Sequence, residues 1–420
     1  MKESSLLLFL LFVCASAQSQ TTINTSIYNN TTWPLSGSPY NVTIDLVVFT
    51  GVTLTIDPGV VVEFADGKEF DLRGKLVAIG TVNDSITFTS ASSAPYAGIW
   101  GGIRINAVNL VVNNQVTMKY CKGLYADRLL DMDLAYEGPY IFEHCLFSNN
   151  TRVSYDGGWP TVRFSECTFS SNHTALDYCQ FGGKVRQSYF LNNVYGVDGF
   201  SNVDTCYFSG NTGVALSAYG AAVGNTVENN SIGVRCYFNA VNDTFLYNTV
   251  RNNVIGVEIQ TYFNGSILFQ QNWICNNSLY NIKLTTANNA DLSNNCWCTE
   301  GGQPVQSTIY DGYDDPNYGL VTFLPVAINC PSIMTDVNDN TAENNPISVY
   351  PNPSSGVFQL NCALENAMYV IYNIAGEEIA NGTFLSSGTV SVDLSTEATG
   401  IYFVRVVADE KVYTQKLLKD

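Results

Sequence analysis

The sequence predicts an all-β protein: a right-handed parallel β-helix of three-strand coils of about 18–24 residues, followed by a small C-terminal β-sandwich. Three observations predict it. First, one phrase recurs between Cys121 and Trp297, clearest from Cys167 to Asp177 and from Asn248 to Glu258. A Cys, Ser or Asn is followed two residues later by a large apolar residue, then by a polar pair ending in Asn, then by a second strand-like run. The pivots Asn150, Asn172, Asn193, Asn211, Asn230, Asn253, Asn277 and Asn295 step by 22, 21, 18, 19, 23, 24 and 18 residues. Second, apolar residues alternate between pivots, as over 162–169 and 267–274, which is the period of strands buried on one face. Third, no run has helical spacing, and a repeat of about 20 residues cannot hold a strand–helix–strand unit, which takes roughly 30.

Coils stacked about 4.8 Å apart bring equivalent residues into columns. The pivot asparagines form one, since Asn tolerates the left-handed turn conformation and stacked amides bond to one another. A second reads Cys121, Cys145, Cys167, Ser188, Cys206, Asn225, Asn248, Asn272, and suits an inward corner. A third reads Trp159, Phe181, Phe200, Tyr219, Phe238, Phe263, and suits aromatic stacking. All three are expected to serve the scaffold.

The formal net charge is −18, from 37 acidic and 19 basic residues. Such a surface repels nucleic acid and anionic membranes, so neither is expected as a partner. It does not exclude a polyanionic sugar, because Ca²⁺ can bridge two sets of carboxylates. Two histidines are too few for a His-rich zinc site.

In chain order, residues 1–17 read as a signal peptide: Lys2, an apolar core from Leu6 to Val13, and the small-residue cleavage pattern Ala15-Ser16-Ala17. That core is too short to span a membrane, and no other span is expected. Residues 18–330 carry the β-helix and 331–344 a polar linker. Residues 345–420 form a small domain whose alternating runs, such as 401–407, and regularly spaced turn signals predict a β-sandwich.

The opening coils carry Val52-Thr-Leu-Thr-Ile-Asp-Pro-Gly-Val-Val-Val-Glu-Phe64, Gly74-Lys-Leu-Val-Ala-Ile-Gly-Thr81, Ile86-Thr-Phe-Thr-Ser90 and Trp100-Gly-Gly-Ile-Arg-Ile105. In this order they resemble the first coils of secreted bacterial right-handed β-helix repeat proteins of the pectate-lyase-like superfamily. The closing coil, with Asn294-Asn-Cys-Trp297, Ile309-Tyr-Asp-Gly-Tyr-Asp-Asp315 and Gly319-Leu-Val-Thr-Phe-Leu-Pro325, resembles the same family, except that Cys298 replaces a usual Gly. Residues 345–420 resemble the type A C-terminal sorting domain of the Bacteroidetes type IX secretion system. The motifs are Val349-Tyr-Pro-Asn-Pro-Ser-Ser-Gly356, Val370-Ile-Tyr-Asn-Ile-Ala-Gly376, Leu394-Ser-Thr-Glu-Ala-Thr-Gly-Ile-Tyr402 and Gln415-Lys-Leu-Leu-Lys419. The resemblance implies a Gram-negative source, a Sec signal followed by type IX export, and the type IX machinery as partner. The destination it implies is the outer surface or the medium.

Eleven cysteines follow the signal segment. Cys121, Cys145 and Cys167 lie close enough for bridging. Yet Ser188 fills the same slot, so stacked free thiols are expected. Cys296 and Cys298 share one strand face, and a bridge to Cys275 or Cys330 is open.

Just past the pivots, an outward column reads Asp177, Asp198, a small residue near Ala215, Arg235 and Glu258. Adjacent carboxylates raise one pKa or bind Ca²⁺, and paired acids are what glycoside hydrolysis requires. β-Helix polysaccharide lyases use a Ca²⁺–acid groove with an Arg base. These four residues are therefore the catalytic candidates, and Tyr155, Tyr178, Tyr237 and Tyr262 the candidates for stacking on sugar rings. The alternative is a solvated strand face. Asp311, Asp314 and Asp315 could bind Ca²⁺ or shape a turn, and His144 and His173 read as turn residues. No Asn-Thr-Asp, Gly-His-Gly or Arg-Ile-Lys pattern of the fold's polygalacturonases, Ser-His-Asp set or phosphate loop appears. Short turns leave few walls for a catalytic groove. The sequence therefore favours a rigid carbohydrate- or matrix-binding scaffold over a polysaccharide lyase or glycoside hydrolase.

Overall fold

The computed structural model describes residues 20–106, 115–132, 135–155, 159–177, 183–199, 202–238, 243–262, 267–298, 304–327, 347–364, 367–373, 378–384, 386–408 and 411–419. The proposed signal peptide and linker lie outside them. The chain divides into two compact units, with the boundary between Ser332 and Ile333.

In the first unit the chain visits three parallel sheets in turn. Val61–Phe64 lies in sheet 1, Glu69–Leu72 in sheet 2, Lys75–Ile79 in sheet 3, and Ile86–Ser90 is back in sheet 1. Among the described residues the sheets hold 13, 12 and 11 strands, with each strand paired to those of the coils before and after. This is the parallel β-helix the repeat predicts. Because side chains alternate along each strand, every other residue of a coil turns into the core, and equivalent residues of successive coils align. Sheet 1 contributes Phe147, Phe169, Phe190 and Phe208; the last three stack face to face at 4.6 Å. The column skips a ring at Gly123, where a Cβ would lie 2.4 Å from the Leu129 side chain.

The corners carry the stack. At the turn from sheet 1 to sheet 2, Asn149, Ser171, Asn192, Asn229, Asn252 and Asn276 adopt φ of 51–61°. Each immediately precedes a pivot Asn, and the left-handed residue turns that Asn inward. Each pivot amide donates to the next coil's pivot amide oxygen at 2.8–3.2 Å from Asn150 to Asn253. The same amide donates to the carbonyl of the inward sheet-1 residue one coil back: Asn172 to Phe147, Asn193 to Phe169, Asn211 to Phe190.

The turn from sheet 3 to sheet 1 repeats this device. Tyr120, His144, Glu166, Gln187 and Thr205 take φ of 49–54°, each just before a member of the second column. Asn225, Asn248 and Asn272 form an amide ladder there and donate back to Val203, Ala222 and Phe245. On earlier coils the thiols of Cys121, Cys145 and Cys167 point at the equivalent carbonyls of Ala78, Met118 and Phe142, at 3.3–3.5 Å. These three cysteines are free and buried, as the slot's tolerance of Ser188 implies.

Two columns need correction. Asn295 belongs to the second, where it accepts from Asn272 at 2.9 Å. The pivot ladder instead passes from Asn277 to Asn281 at 2.9 Å and on to Thr308. The proposed aromatic column also dissolves. Tyr219 stacks on Tyr237, whereas Phe238 is buried and register-paired with Tyr262. Phe181, Phe200 and Phe263 lie outside the described residues.

The solenoid's last coils are covalently tied by a Cys275–Cys298 disulfide, and Cys296 is also disulfide-bonded. The Cys that departs from the family's usual Gly therefore has a structural use.

The second unit is a sandwich of antiparallel sheets. Ile347–Tyr350, Val357–Cys362 and Gly388–Asp393 make one; Glu378–Phe384, Ala367–Asn373, Gly400–Ala408 and Lys411–Lys419 make the other. Phe358, Leu360, Ile371, Val404, Val406 and Leu417 form its shared core. Among the described residues of the chain, no helix is long and apolar enough to cross a membrane.

Asn211 accepts two bonds from Asn193 and donates to Phe190 and Asn230. Asn211→Ala leaves these buried partners unmatched and should lower stability by about 3 kcal/mol in urea unfolding. Cys167→Ser, which places in that column the residue type already present at 188, should cost clearly less.

Candidate functional site

The outward residues of sheet 2 form one continuous column, fixed by strand register. Arg104, Asp131, Tyr155, Asp177 and Asp198 follow one another on successive coils. The Val197–Leu216 pair then sets Ser217 beside Asp198, and Arg235, Glu258, Lys283 and Tyr310 continue. The small residue between Asp198 and Arg235 is thus Ser217. Ala215, two positions earlier, is buried.

Most charges on this face are matched within it. Arg152 lies 3.3 Å from Asp177, and Arg128 lies 3.5 Å from Asp131. Glu258 is the most constrained acid: it accepts from Arg235 at 2.7 Å, from Gln260 at 3.2 Å, and pairs with Lys283 at 3.5 Å. It is buried among these partners. Burial works against the charge on Arg235, but Glu258 outweighs it and raises the guanidinium's pKa. Arg235 is thus a poor base, and Glu258 is committed to three polar partners.

Asp177 and Asp198 differ. They are register partners on adjacent coils. Burial pushes Asp177 above the usual carboxylate range, Arg152 opposes this, and Asp198 adds to it. Asp198 is raised by burial against a hydrogen bond from Ser217 and the charge of Arg235. The structure therefore brings two of the four catalytic candidates together as an acid pair and locks the other two into an ion pair one coil past Ser217.

Of the stacking candidates, Tyr155 lies under the guanidinium groups of Arg128 and Arg152, at 5.2 and 5.0 Å. Tyr237 stacks on Tyr219 at 4.6 Å with planes 15° apart. Burial and the nearby Asp198 push the Tyr219 phenol upward. Tyr262 cannot stack on a sugar. It is 5% exposed, and its hydroxyl donates to the Asp291 carbonyl at 2.9 Å. The reason is a register shift after Cys236, which aligns Tyr262 with inward Phe238. Tyr178 lies outside the described residues. Arg152, Ser217 and Tyr219 were missed by sequence reading; counting register along each coil would have found them.

The Asp311 cluster shapes a turn. Both carboxylate oxygens of buried Asp311 accept backbone N–H groups, from Tyr313 and Val321. Asp314 accepts from the Asp311 N–H, and Asp315 from Asn317. His144 is a left-handed corner residue stacked on Tyr120 at 4.6 Å. His173 contacts Thr174 and the edge of Tyr195.

Fold and face together define a parallel β-helix that displays a largely self-paired polar column and carries an appended β-sandwich. Residues 348–420 match the family described as "Secretion system C-terminal sorting domain". The chain therefore carries a type IX sorting tail and is a secreted protein that engages the secretion machinery. A 58-residue stretch is 43% identical to "Protein bark beetle" of Drosophila melanogaster, covering 14% of this chain; the chain spans 2% of that protein's length. Among solved structures, a crystal structure of a mutant of the periplasmic alginate epimerase AlgG is similar, with 13% identity and a TM-score of 0.27 over 71% of this chain and 82% of that one.

A carboxyl with a raised folded pKa favours the fold when protonated. For Asp198 that contribution is complete below the ordinary 3.8 and is lost as pH rises through the higher folded value. Asp198→Asn resembles the protonated form. Its melting temperature relative to wild type should therefore climb between pH values below 3.8 and neutrality; a constant difference would contradict the assignment.

Proposed function

We propose that the protein is a rigid carbohydrate- or matrix-binding scaffold, exported through a signal peptide at 1–17 and the type IX route, and displayed at or released from the cell surface. Its binding face is the outer side of sheet 2. One observation carries the reading: the outward Asp177–Asp198 pair is bracketed on the same rigid face by Tyr155 on one side and the stacked Tyr219–Tyr237 pair on the other. Flat aromatic faces suit the apolar faces of sugar rings, and carboxylates suit their hydroxyls. A sheet fixed by buried ladders loses little freedom on binding.

The same acid pair favours a second reading, a polysaccharide lyase or glycoside hydrolase on an extracellular glycan. Two adjacent acids whose surroundings hold protons differently can divide acid and base roles. Arg235 and Glu258 would then position the pair, since their own charges neutralise each other. The two carboxylates are too few to hold Ca²⁺ alone, so that ion would enter only together with a polyanionic ligand.

The test is a screen of the purified protein on plant, algal and bacterial polysaccharides, with and without Ca²⁺. It reads gel retention, reducing ends and unsaturated-product absorbance together. Retention without product, weakened about tenfold by Tyr237→Ala, is the expected result. Product that disappears in Asp177→Ala or Asp198→Ala replaces the scaffold reading with the enzyme reading. Neither retention nor product on any glycan sinks both.

A further inference from the structure

A different part of the solenoid has the make-up of a second binding site. Sheet 3 carries Lys184 and Arg186 on one strand, and Arg163 pairs in register with Lys184 on the coil before. All three side chains are exposed. The solenoid has eight arginines. Six of them, at 73, 104, 128, 152, 235 and 251, make ion pairs. Arg163 and Arg186 make none among the described residues, and neither does Lys184. In a chain of net charge −18 these three cations stand adjacent, with Asp204 the register partner of Arg186 on the next coil.

Lys184 and Arg186 border a hollow. A cavity of about 420 Å³ is lined by Lys184, Arg186, Asn202, Asp204, Ala221 and Val223. Its floor is low because Ala221 and Val223 are small and because the coils here are the shortest in the repeat, 18 and 19 residues between Asn193, Asn211 and Asn230. A second hollow of about 360 Å³ lies around the corner toward sheet 1 and includes Tyr189, Tyr207 and Gly224. The two abut, since their linings meet at 186/187, 204/205 and 223/224.

The far side is aromatic. Tyr189 is 52% exposed, and its ring lies 6.1 Å from that of Tyr207. Tyr207 is held in place: its hydroxyl donates to Glu228 at 2.7 Å, and Arg251 fixes Glu228 at 2.7 Å. Cations on one wall, two tyrosines across a corner and a shallow floor of three coils fit a ligand with anionic substituents and apolar ring faces. Carboxylate and sulfate pair well with guanidinium and ammonium, while sugar rings lie against phenol rings.

We propose that this corner of sheets 3 and 1 binds an anionic saccharide chain, a uronate or a sulfated glycan. The site is distinct from the sheet-2 face and does not depend on the reading given to that face.

The test uses the full chain in affinity electrophoresis and calorimetry. Hyaluronan presents carboxylate, dextran sulfate presents sulfate ester, and neutral dextran and single-stranded DNA are controls. Retention on hyaluronan, dextran sulfate or both, decreasing with salt, is expected; which one binds identifies the acidic group. Lys184→Gln with Arg186→Gln should weaken binding at least tenfold, and Tyr189→Ala severalfold. Asp204→Asn, which removes the anion on the rim, should tighten it two- to threefold, a gain that a folding defect cannot mimic. The proposal is overturned if neither anionic glycan is retained, if the Lys184/Arg186 variant binds as wild type does, or if single-stranded DNA binds equally well.

Discussion

The architecture depends on one requirement: the carbonyl groups that face inward at two of the corners must find donors in an apolar core. A three-sided coil turns its chain at fixed points, and sheet hydrogen bonds cannot reach those carbonyls. A left-handed residue followed by an inward amide solves this. The amide donates to the carbonyl one coil back, donates again along the column, and accepts from the next coil, as Asn211 does. The thiols of Cys121, Cys145 and Cys167 also reach those carbonyls, which is why Cys can occupy early in the column the slot that Asn fills on later coils.

Once the corners are fixed, the outward positions are free to vary, and the faces diverge. Sheet 2 pairs most of its charges internally, so its potential is muted except at Asp177 and Asp198. Sheet 3 sets Arg163, Lys184 and Arg186 side by side without an ion pair among the described residues. A chain with a strongly negative total thus presents both signs, on sides of a prism too stiff to bring them together. The sorting tail adds delivery, and its small sandwich has its own core.

Much of the fold could be read from the sequence because the corner requirement writes itself into the chain at every coil. The pivot asparagines, the Cys-to-Asn column and the three-strand coil were all predictable from spacing. Asn295 was misplaced because, in the last coils, both corners use Asn, and spacing alone cannot say which corner an Asn serves. Tyr262 was misread because a one-residue register shift after Cys236 reverses the faces of everything that follows. The Asp177–Asp198 pair was visible, since both follow a pivot at a fixed distance. The partners that define its chemistry were not: Arg152 arrives from the previous coil, and Ser217 stands two residues beyond the position that pivot counting reached.

The ladders also have an end. Among the described residues, the last amide of the second column, Asn295, donates to Phe269 one coil back and to Leu292 and Ser293 of its own coil rather than to a further asparagine. The pivot ladder closes in the same way on Asn281 and the hydroxyl of Thr308. A column of stacked amides is otherwise the kind of template on which cross-β fibres grow, one molecule adding its rung to the last. By satisfying its final rungs internally, the solenoid withholds that template from a second copy of itself.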